Sequence, residues 1–421
     1  MESEQSSRAS RTKISPFLTL KVTHFRNYLF GAFLSEIGNQ MQTVAVAWQV
    51  YEMTRNPASL GLIGLANFLP IILFSLVGGL VADKVDRKKL LIISQAAQLI
   101  LALILFTMTI THFINPLMIY GILVLVATAQ SFSIPARQSV LPHLVPKEYF
   151  MNAVSLNVLQ FQGATMIGPA IAGFLIGGMG VAAVYLLNSL SFLFFIGAVL
   201  SLNVALQKHD PLKVKFSMGS IMEGIRFVLK TPILYTTMIL DFAATFFGTA
   251  TILMPVFAQD VLHVGPQGLG LLYSGPAIGG VLAGLLVSAL HHKIKHQGKT
   301  IIAALVLYGL ATIGFGLSKI FALSIFFLIL LGFGDMTSTI IRNTIRQMIT
   351  PDHLRGRMAS VMRIFFQGGP QLGDMEAGFL AKAIGGPASV VVGGVGVLLV
   401  LSILTFKGKA LRQYHGKDLA V

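Results

Sequence analysis

The chain of 421 residues contains no cysteine, one tryptophan and only 16 aspartates and glutamates. With no thiol there is no disulfide framework and no thiolate metal centre. Charged residues make up 11% of the sequence and hydrophobic ones 54%, against roughly 25% charged in a soluble domain, so the composition excludes a water-soluble globular fold. No GxxxxGK[ST] phosphate-cradling loop occurs, which excludes a nucleotide-driven pump. HExxH and GxSxG are also absent, and no histidine stands beside an acid within an apolar run, which argues against an enzyme. His291, His292 and His296 have no carboxylate or thiol alongside. They read as a solvated basic loop, and neither a metal nor a cofactor is expected.

What the chain does have is long apolar runs. Stretches of about 20 residues suffice to cross a hydrocarbon core of roughly 30 Å. Such stretches fall near 28–51, 59–82, 90–111, 117–137, 153–177 and 182–204, then near 233–258, 267–290, 300–318, 321–342, 358–383 and 388–406. The expected fold is an all-α membrane protein of twelve transmembrane helices in two pseudo-symmetric six-helix bundles. Its expected divisions are a cytoplasmic segment 1–27, a first bundle 28–204, a linker 205–232, a second bundle 233–406 and a tail 407–421. Pro276 and the run Gly368-Gly369-Pro370 predict kinks or local unwinding. In the linker, Ile221, Ile225, Val228 and Leu229 share one side of a helix and Glu223, Arg226 and Lys230 the other. That is the pattern of an amphipathic helix on the membrane surface.

The formal net charge of +15 taken alone suggests nucleic acid, but the positions of the cations explain it better. Of the 31 lysines and arginines, all but Arg55, Lys319 and Lys382 fall on the amino terminus, alternate loops, the linker and the tail. This asymmetry places both termini in the cytoplasm, with Trp48 and Tyr51 as interfacial anchors at the outer end of the first span. No nucleic-acid partner is expected. Residues 1–21 are polar and lack a short apolar core with a small-residue cleavage site, which predicts no cleaved signal peptide. The chain reads as a monomeric, multi-pass protein of a bacterial cytoplasmic membrane, with membrane lipid around it.

A shift of 205 positions lays the second half on the first. Gly163, Gly168 and Gly173 then meet Gly368, Gly373 and Gly378, Phe161 and Gln162 meet Phe366 and Gln367, Arg137 meets Arg342, Pro146 meets Pro351 and Glu36 meets Asp241. Two parallel repeats with an acid in the first helix of each form a transporter plan, whose substrate site lies where the repeats meet.

The loop from Gly78 to Lys89, GGLVADKVDRKK, resembles the signature of the major facilitator superfamily. Gly79, Asp83, Arg87 and Lys88 match it, and Asp86 stands where the family usually has glycine. The runs VAWQVYEMTRNPASLGLIGL, PLKVKFSMGSIMEGIRFVLKTPIL, RGRMAS and GGPQLGD resemble the branch of drug:proton antiporters that holds the enterobactin exporter and macrolide efflux proteins. The resemblance implies the major facilitator fold, cavity-lining roles for spans one and seven, and a latch at the Gly79–Lys88 loop that favours the outward-facing state. Physically, Asp83 can face the positive amino-terminal end of an opposing helix near Met358; a short basic loop obeying topology alone accounts for the same residues. The matching loop HHKIKHQGK lacks the acid, so any latch is one-sided. In span five, GATMIGPAIAG, with Gly163, Gly168, Pro169 and Gly173, is similar to the glycine-rich motif of proton-driven exporters, with Ala164 and Ala172 in place of two of its small residues. Close helix packing is the alternative reading of those residues.

A carboxylate inside an apolar span is costly and usually faces a cavity or pathway. Five are found: Glu36, Asp241, Asp335, Asp374 and Glu376. Glu36 shares a helical face with Asn39, Gln40 and Thr43, Asp241 with Thr237 and Thr245, and Asp374 with Gln367 and Gln371, by the three- and four-residue steps of a helix. Asn157 and Gln160 form a matching polar stripe on span five. Asp335 shares a face with Ser338, Thr339 and Arg342, its repeat mate being Gln130; a pathway role and an ion pair fit it equally. Asp241 first and Glu36 second are the expected proton or substrate-cation sites, with Asp335 and Asp374 as further candidates. Purely structural polar contacts are the alternative.

The function expected is a secondary active transporter that exports an amphiphilic small molecule of drug or siderophore type in exchange for protons, by alternating access. A lipid or lysolipid flippase, an importer of the same fold and a non-transporting receptor are the alternatives. Direction and pH dependence of flux separate them.

Overall fold

Short polar signals start several helices. In the computed structural model, Asp86 caps α3 (Arg87–Ile110): its carboxylate accepts from the backbone N–H of Lys88 at 2.8 Å and of Lys89 at 3.1 Å. These are donors that the first turn of a helix leaves open. Asn115 accepts from the Met118 N–H at 3.0 Å to cap α4 (Pro116–Val140), and Pro116 sits at the first helical position, where its missing N–H costs nothing. The first helix, α1 (Thr23–Thr54), ends on Arg55 in the left-handed region, φ 48°. The structure describes residues 16–202, 218–248, 251–290, 294, 296–351, 354–407, 411 and 414.

The first half is completed by α2 (Pro57–Lys84), α5 (Phe150–Met179) and α6 (Val181–Leu200). After the amphipathic α7 (Met218–Lys230), the second half runs through α8 (Pro232–Phe247), the single turn α9 (Met254–Val256) and a π-helical turn Phe257–Val261. It continues through α10 (Gly265–Leu290), α11 (Gln297–Leu317), α12 (Phe321–Ile349), α13 (Arg355–Ile384) and α14 (Gly386–Lys407). Among the described residues there is no strand. Among the described residues ten segments are long and apolar enough to cross a membrane. The other two expected spans correspond to α1 and α13, which have the length, 32 and 30 residues, but carry the glutamine- and acid-rich stripes that lower their hydropathy.

The local unwinding expected at two prolines is not found. α10 and α13 run unbroken through Pro276 and Pro370. At the first of these, Gly332 of α12 lies directly against the Pro276 carbonyl, so a neighbouring helix packs on the backbone that the proline disturbs. The interruption falls instead in the seventh span, where α8 stops at Phe247. There the hydroxyl of Tyr308, from α11, donates to the carbonyls of Ala244 at 3.0 Å and Gly248 at 2.9 Å. The Ala244 carbonyl also accepts from the Gly248 N–H at 3.0 Å, and the added hydroxyl from a neighbouring helix is the kind of partner that makes a broken helix tolerable at membrane depth.

The duplication is visible in the packing. In the first half α1 packs on α5 and α6, α2 on α4, and α3 on α4 and α6; in the second, α8 packs on α13 and α14, α10 on α12, and α11 on α12 and α14. Between the halves α2 crosses α13 and α5 crosses α10, and these two crossings are repeat mates. Small residues make both possible: a Cβ added at Gly61 would stand 3.3 Å from the Cα of Gly378, and one at Gly173 would stand 2.9 Å from the Cα of Gly270. Both crossings lie towards the same end of the molecule, that of the α1–α2 turn.

Candidate functional site

A cavity of about 430 Å³ opens between the halves, inside the range of small-molecule sites. It extends along α1 from Ala47 to Glu36, eleven residues or about 16 Å of helix. Most of the wall is first-half: Asn39, Gln40 and Thr43 of α1, Asn67 of α2, Gln98 of α3, and Gln130 and Arg137 of α4. The second half contributes Ile252, Gln371 and Asp374. The expected stripe on α1 and two of the three residues of the α13 stripe thus share one space. The Gln367 side chain lies outside the described residues. Thr43 itself donates to the Asn39 carbonyl at 3.1 Å.

Glu36 is held from two sides. Arg137 approaches its Oε2 at 3.6 Å, and the Gln40 amide donates to its Oε1 at 3.2 Å. Arg137 in turn donates to Ser35 Oγ at 3.3 Å and Gln95 Oε1 at 3.4 Å, and its guanidinium stands 4.5 Å from the centre of the Phe195 ring. Gln95 is fixed by donating to Ser133 at 2.8 Å. The arginine is therefore oriented by α1, α3 and α6, while its acid partner borders open space.

The second half repeats the pair and then adds to it. Asp241 of α8 meets Arg342 of α12 at 2.8 Å, and Arg346, one turn on, at 3.4 Å. Arg342 also faces Asp335 at 4.0 Å and donates to Thr339 at 3.0 Å. The Thr245 hydroxyl donates to the Asp241 carbonyl at 2.9 Å. Arg342 and Arg346 are buried, at 0% and 2% exposure. None of Asp241, Thr245 and Asp335 lines the cavity. The residue expected first as a cavity acid lies instead in a packed ionic cluster. Arg346 was not singled out in the sequence; its signal is the four-residue step from Arg342, and its repeat mate is Leu141, so the offset that revealed Arg342 passes over it.

Of the loop candidates, the Gly79 and Asp83 side chains lie outside the described residues. Arg87 donates to the Ser139 carbonyl at 3.3 Å and Lys88 to the carbonyls of Leu200 and Leu202 at 3.0 and 2.8 Å. Both bases thus tie the start of α3 to the ends of α4 and α6 in their own half. In α5, Gly163 and Gly168 face α1, at Phe33 and at Ile37 and Gln40, whereas Gly173 faces α10. Pro169 brings no N–H to the Thr165 carbonyl one turn earlier, and its own carbonyl abuts Gly270 of α10. Asn157 and Gln160 do not border the cavity.

At the end where the halves cross, Tyr51 of α1 donates a short hydrogen bond to the Asp260 carboxylate in the π-helical turn, and Arg55 stands 3.7 Å from the same group. Nearer the middle of the α5–α10 crossing, Ser274 of α10 donates to the Met166 carbonyl of α5 at 2.8 Å. This end is therefore clamped by polar bonds between halves as well as by glycine crossings.

A family model described as transmembrane secretion effector matches residues 14–420. The chain belongs to that family of major facilitator transporters. It is 26% identical over 404 residues to the enterobactin exporter EntS of Citrobacter koseri, covering 94% of this chain and 95% of that one. It is also 26% identical over 407 residues to the multidrug efflux pump Tap of Mycolicibacterium fortuitum, covering 94% and 97%. Among solved structures, a bacterial homologue of the human lysosomal transporter Spinster in an inward-facing, unoccupied conformation superposes with a TM-score of 0.73 at 14% identity, over 93% of this chain and 98% of that one. An inward-facing bacterial homologue of the iron transporter ferroportin gives 0.69 at 14% identity, over 91% and 98%. At such identity these two speak for the fold. As a major facilitator protein of the efflux branch, this integral membrane transporter takes small molecules as its substrates.

Proposed function

We propose that the protein is a secondary active exporter that moves an amphiphilic small molecule out of the cytoplasm in exchange for protons, by alternating access. The observation that carries the reading is the Glu36–Arg137 pair set into the wall of a cavity between the two halves. A proton arriving at Glu36 cancels its charge and releases Arg137, which changes what the cavity can hold; loss of the proton restores the pair. The missing phosphate loop favours a gradient over nucleotide as the energy source. Relatives named as an exporter and an efflux pump favour the outward direction.

With both termini in the cytoplasm, the end clamped by Tyr51, Arg55 and Asp260 is the outer one, and the arrangement is the inward-facing member of the cycle. Rocking of the two halves about the cavity separates the α2–α13 and α5–α10 crossings at that end and closes the other, where the Gly79–Lys88 loop acts as the opposing latch. The partners are protons, the substrate and surrounding lipid, and the working unit is one chain. Efflux of a panel of fluorescent amphiphiles from proteoliposomes under an imposed pH gradient tests the reading. Efflux that follows the gradient and fails in Glu36→Gln supports it; efflux indifferent to the gradient overturns it.

A further inference from the structure

Among the described residues two carboxylates line the cavity, Glu36 and Asp374, and the first alone is paired. Arg137 stands 3.6 Å from Glu36. Among the described residues no cation and no hydrogen-bond donor reaches Asp374, and its Oδ1 is shielded from solvent without a partner. One turn earlier on the same face of α13, Gln371 presents Oε1, also shielded and also without a donor. The two residues are brought into the cavity by the α2–α13 crossing: a Cβ at Gly64 of α2 would stand 2.7 Å from that of Asp374 and 2.6 Å from the Gln371 carbonyl. Any side chain at position 64 would therefore displace this wall.

Among the described residues the ionisable groups bordering the space are Glu36, Arg137 and Asp374, so one of its two acids has no cation beside it. The two described guanidiniums of the second half, Arg342 and Arg346, are both engaged by Asp241. A carboxylate withdrawn from water without a partner is costly, and a cation brought to it recovers that cost. The facing wall at Ile63, Ile71, Ile134 and Phe161 is apolar and offers such a cation a hydrophobic surround.

We propose that Asp374, with Gln371 beside it, selects lipophilic monocations: the charged centre of the substrate sits at Asp374 and its apolar body lies against the first-half wall. The proposal rests on the reading of this cavity as the substrate site, and it assigns the cation to Asp374 while leaving Glu36 to the proton.

Equilibrium binding to the purified protein in nanodiscs of zwitterionic lipid tests it with two probes of equal size and opposite charge, tetraphenylphosphonium and tetraphenylborate. The expected result is that the cation binds at least about tenfold more tightly than the anion. Asp374→Asn should weaken cation binding by at least about tenfold, Asp374→Glu should retain it, and Glu376→Gln, outside the cavity, should leave it unchanged. Equal binding of the two ions, binding of neither, or a folded Asp374→Asn protein that binds the cation within about twofold of the original would overturn the proposal. Carbodiimide labelling of Asp374 in the unaltered chain needs no variant: tetraphenylphosphonium should protect it, and labelling at an unchanged rate counts against it. Binding needs no gradient, so cation selection at Asp374 with gradient-independent efflux removes the proton-exchange reading alone. Gradient-driven efflux with charge-blind binding removes this one alone.

Discussion

The Glu36 carboxylate and the Arg137 guanidinium stand 3.6 Å apart between α1 and α4, and the residues 205 positions further on, Asp241 and Arg342, repeat the pair at 2.8 Å between α8 and α12. The duplication has kept the pair and changed its setting. The first copy borders a cavity; the second is joined by a further buried arginine, Arg346, at 3.4 Å from Asp241, and by a half-exposed acid, Asp335, at 4.0 Å from Arg342. One copy is accessible to a proton or a substrate, and the other braces its bundle.

That difference predicts opposite consequences for equivalent substitutions. Asp241→Asn leaves two buried arginines without their shared acid, and breaking such a cluster costs roughly 3–5 kcal/mol. Thermal unfolding in detergent should register a large loss of stability. Glu36→Gln sits at the cavity edge and keeps the Gln40 contact available, so its unfolding temperature should move much less while transport fails. A larger loss of stability from Glu36→Gln than from Asp241→Asn would reverse the assignment.

The clamp at the crossed end should set the resting conformation. Hydrogen bonds to charged groups contribute about 1.5–3 kcal/mol, so Tyr51→Phe should shift the balance between inward- and outward-facing forms by about tenfold or more. Because the chain has no cysteine, a single introduced pair such as Thr54→Cys with His263→Cys carries spin labels without background. A broadened or lengthened distance distribution in Tyr51→Phe is expected, and an unchanged one would show that the glycine crossings hold this end unaided.

Those crossings give a prediction of their own. Gly173→Leu drives a side chain into the backbone of α10, with Gly270 Cα 2.9 Å from the new Cβ, and so should prop the end open. The expected readout is loss of transport together with increased reactivity of a cysteine introduced at Thr43 from the outer side of intact cells. Normal transport by Gly173→Leu would mean that the halves do not close there during the cycle.

Much of this was legible in the sequence, and the failures have physical causes. Apolar run length and the 205-residue offset carried the fold, because helix count and repeat mates depend on local composition alone. Glu36, Asn39, Gln40 and Thr43 were found as a stripe because a helix face is written in three- and four-residue steps, and they line the cavity together. Asp241 has the same local pattern, yet its environment depends on Arg342 and Arg346 more than 100 positions away, which no local periodicity reports. The break after Phe247 was missed for the same reason, since its carbonyls are satisfied by Tyr308 from another helix.

Asp86, which departs from the superfamily's usual glycine, acquires a role that can be measured. It caps α3 through Lys88 and Lys89, so Asp86→Ala should cost about 1 kcal/mol and Asp86→Gly only a few tenths. Chemical unfolding that ranks the two variants in that order fits the cap; equal effects would assign the stabilisation elsewhere.

The most direct test of proton exchange at the Glu36–Arg137 pair compares two modes of transport in one preparation. Proteoliposomes containing the unaltered chain or Glu36→Gln are assayed for pH-gradient-driven efflux and for exchange of labelled against unlabelled substrate with no gradient. The account predicts that Glu36→Gln loses the driven mode and keeps the exchange mode, because the cavity still binds and reorients while the proton has no site. Driven efflux undiminished in Glu36→Gln would contradict it.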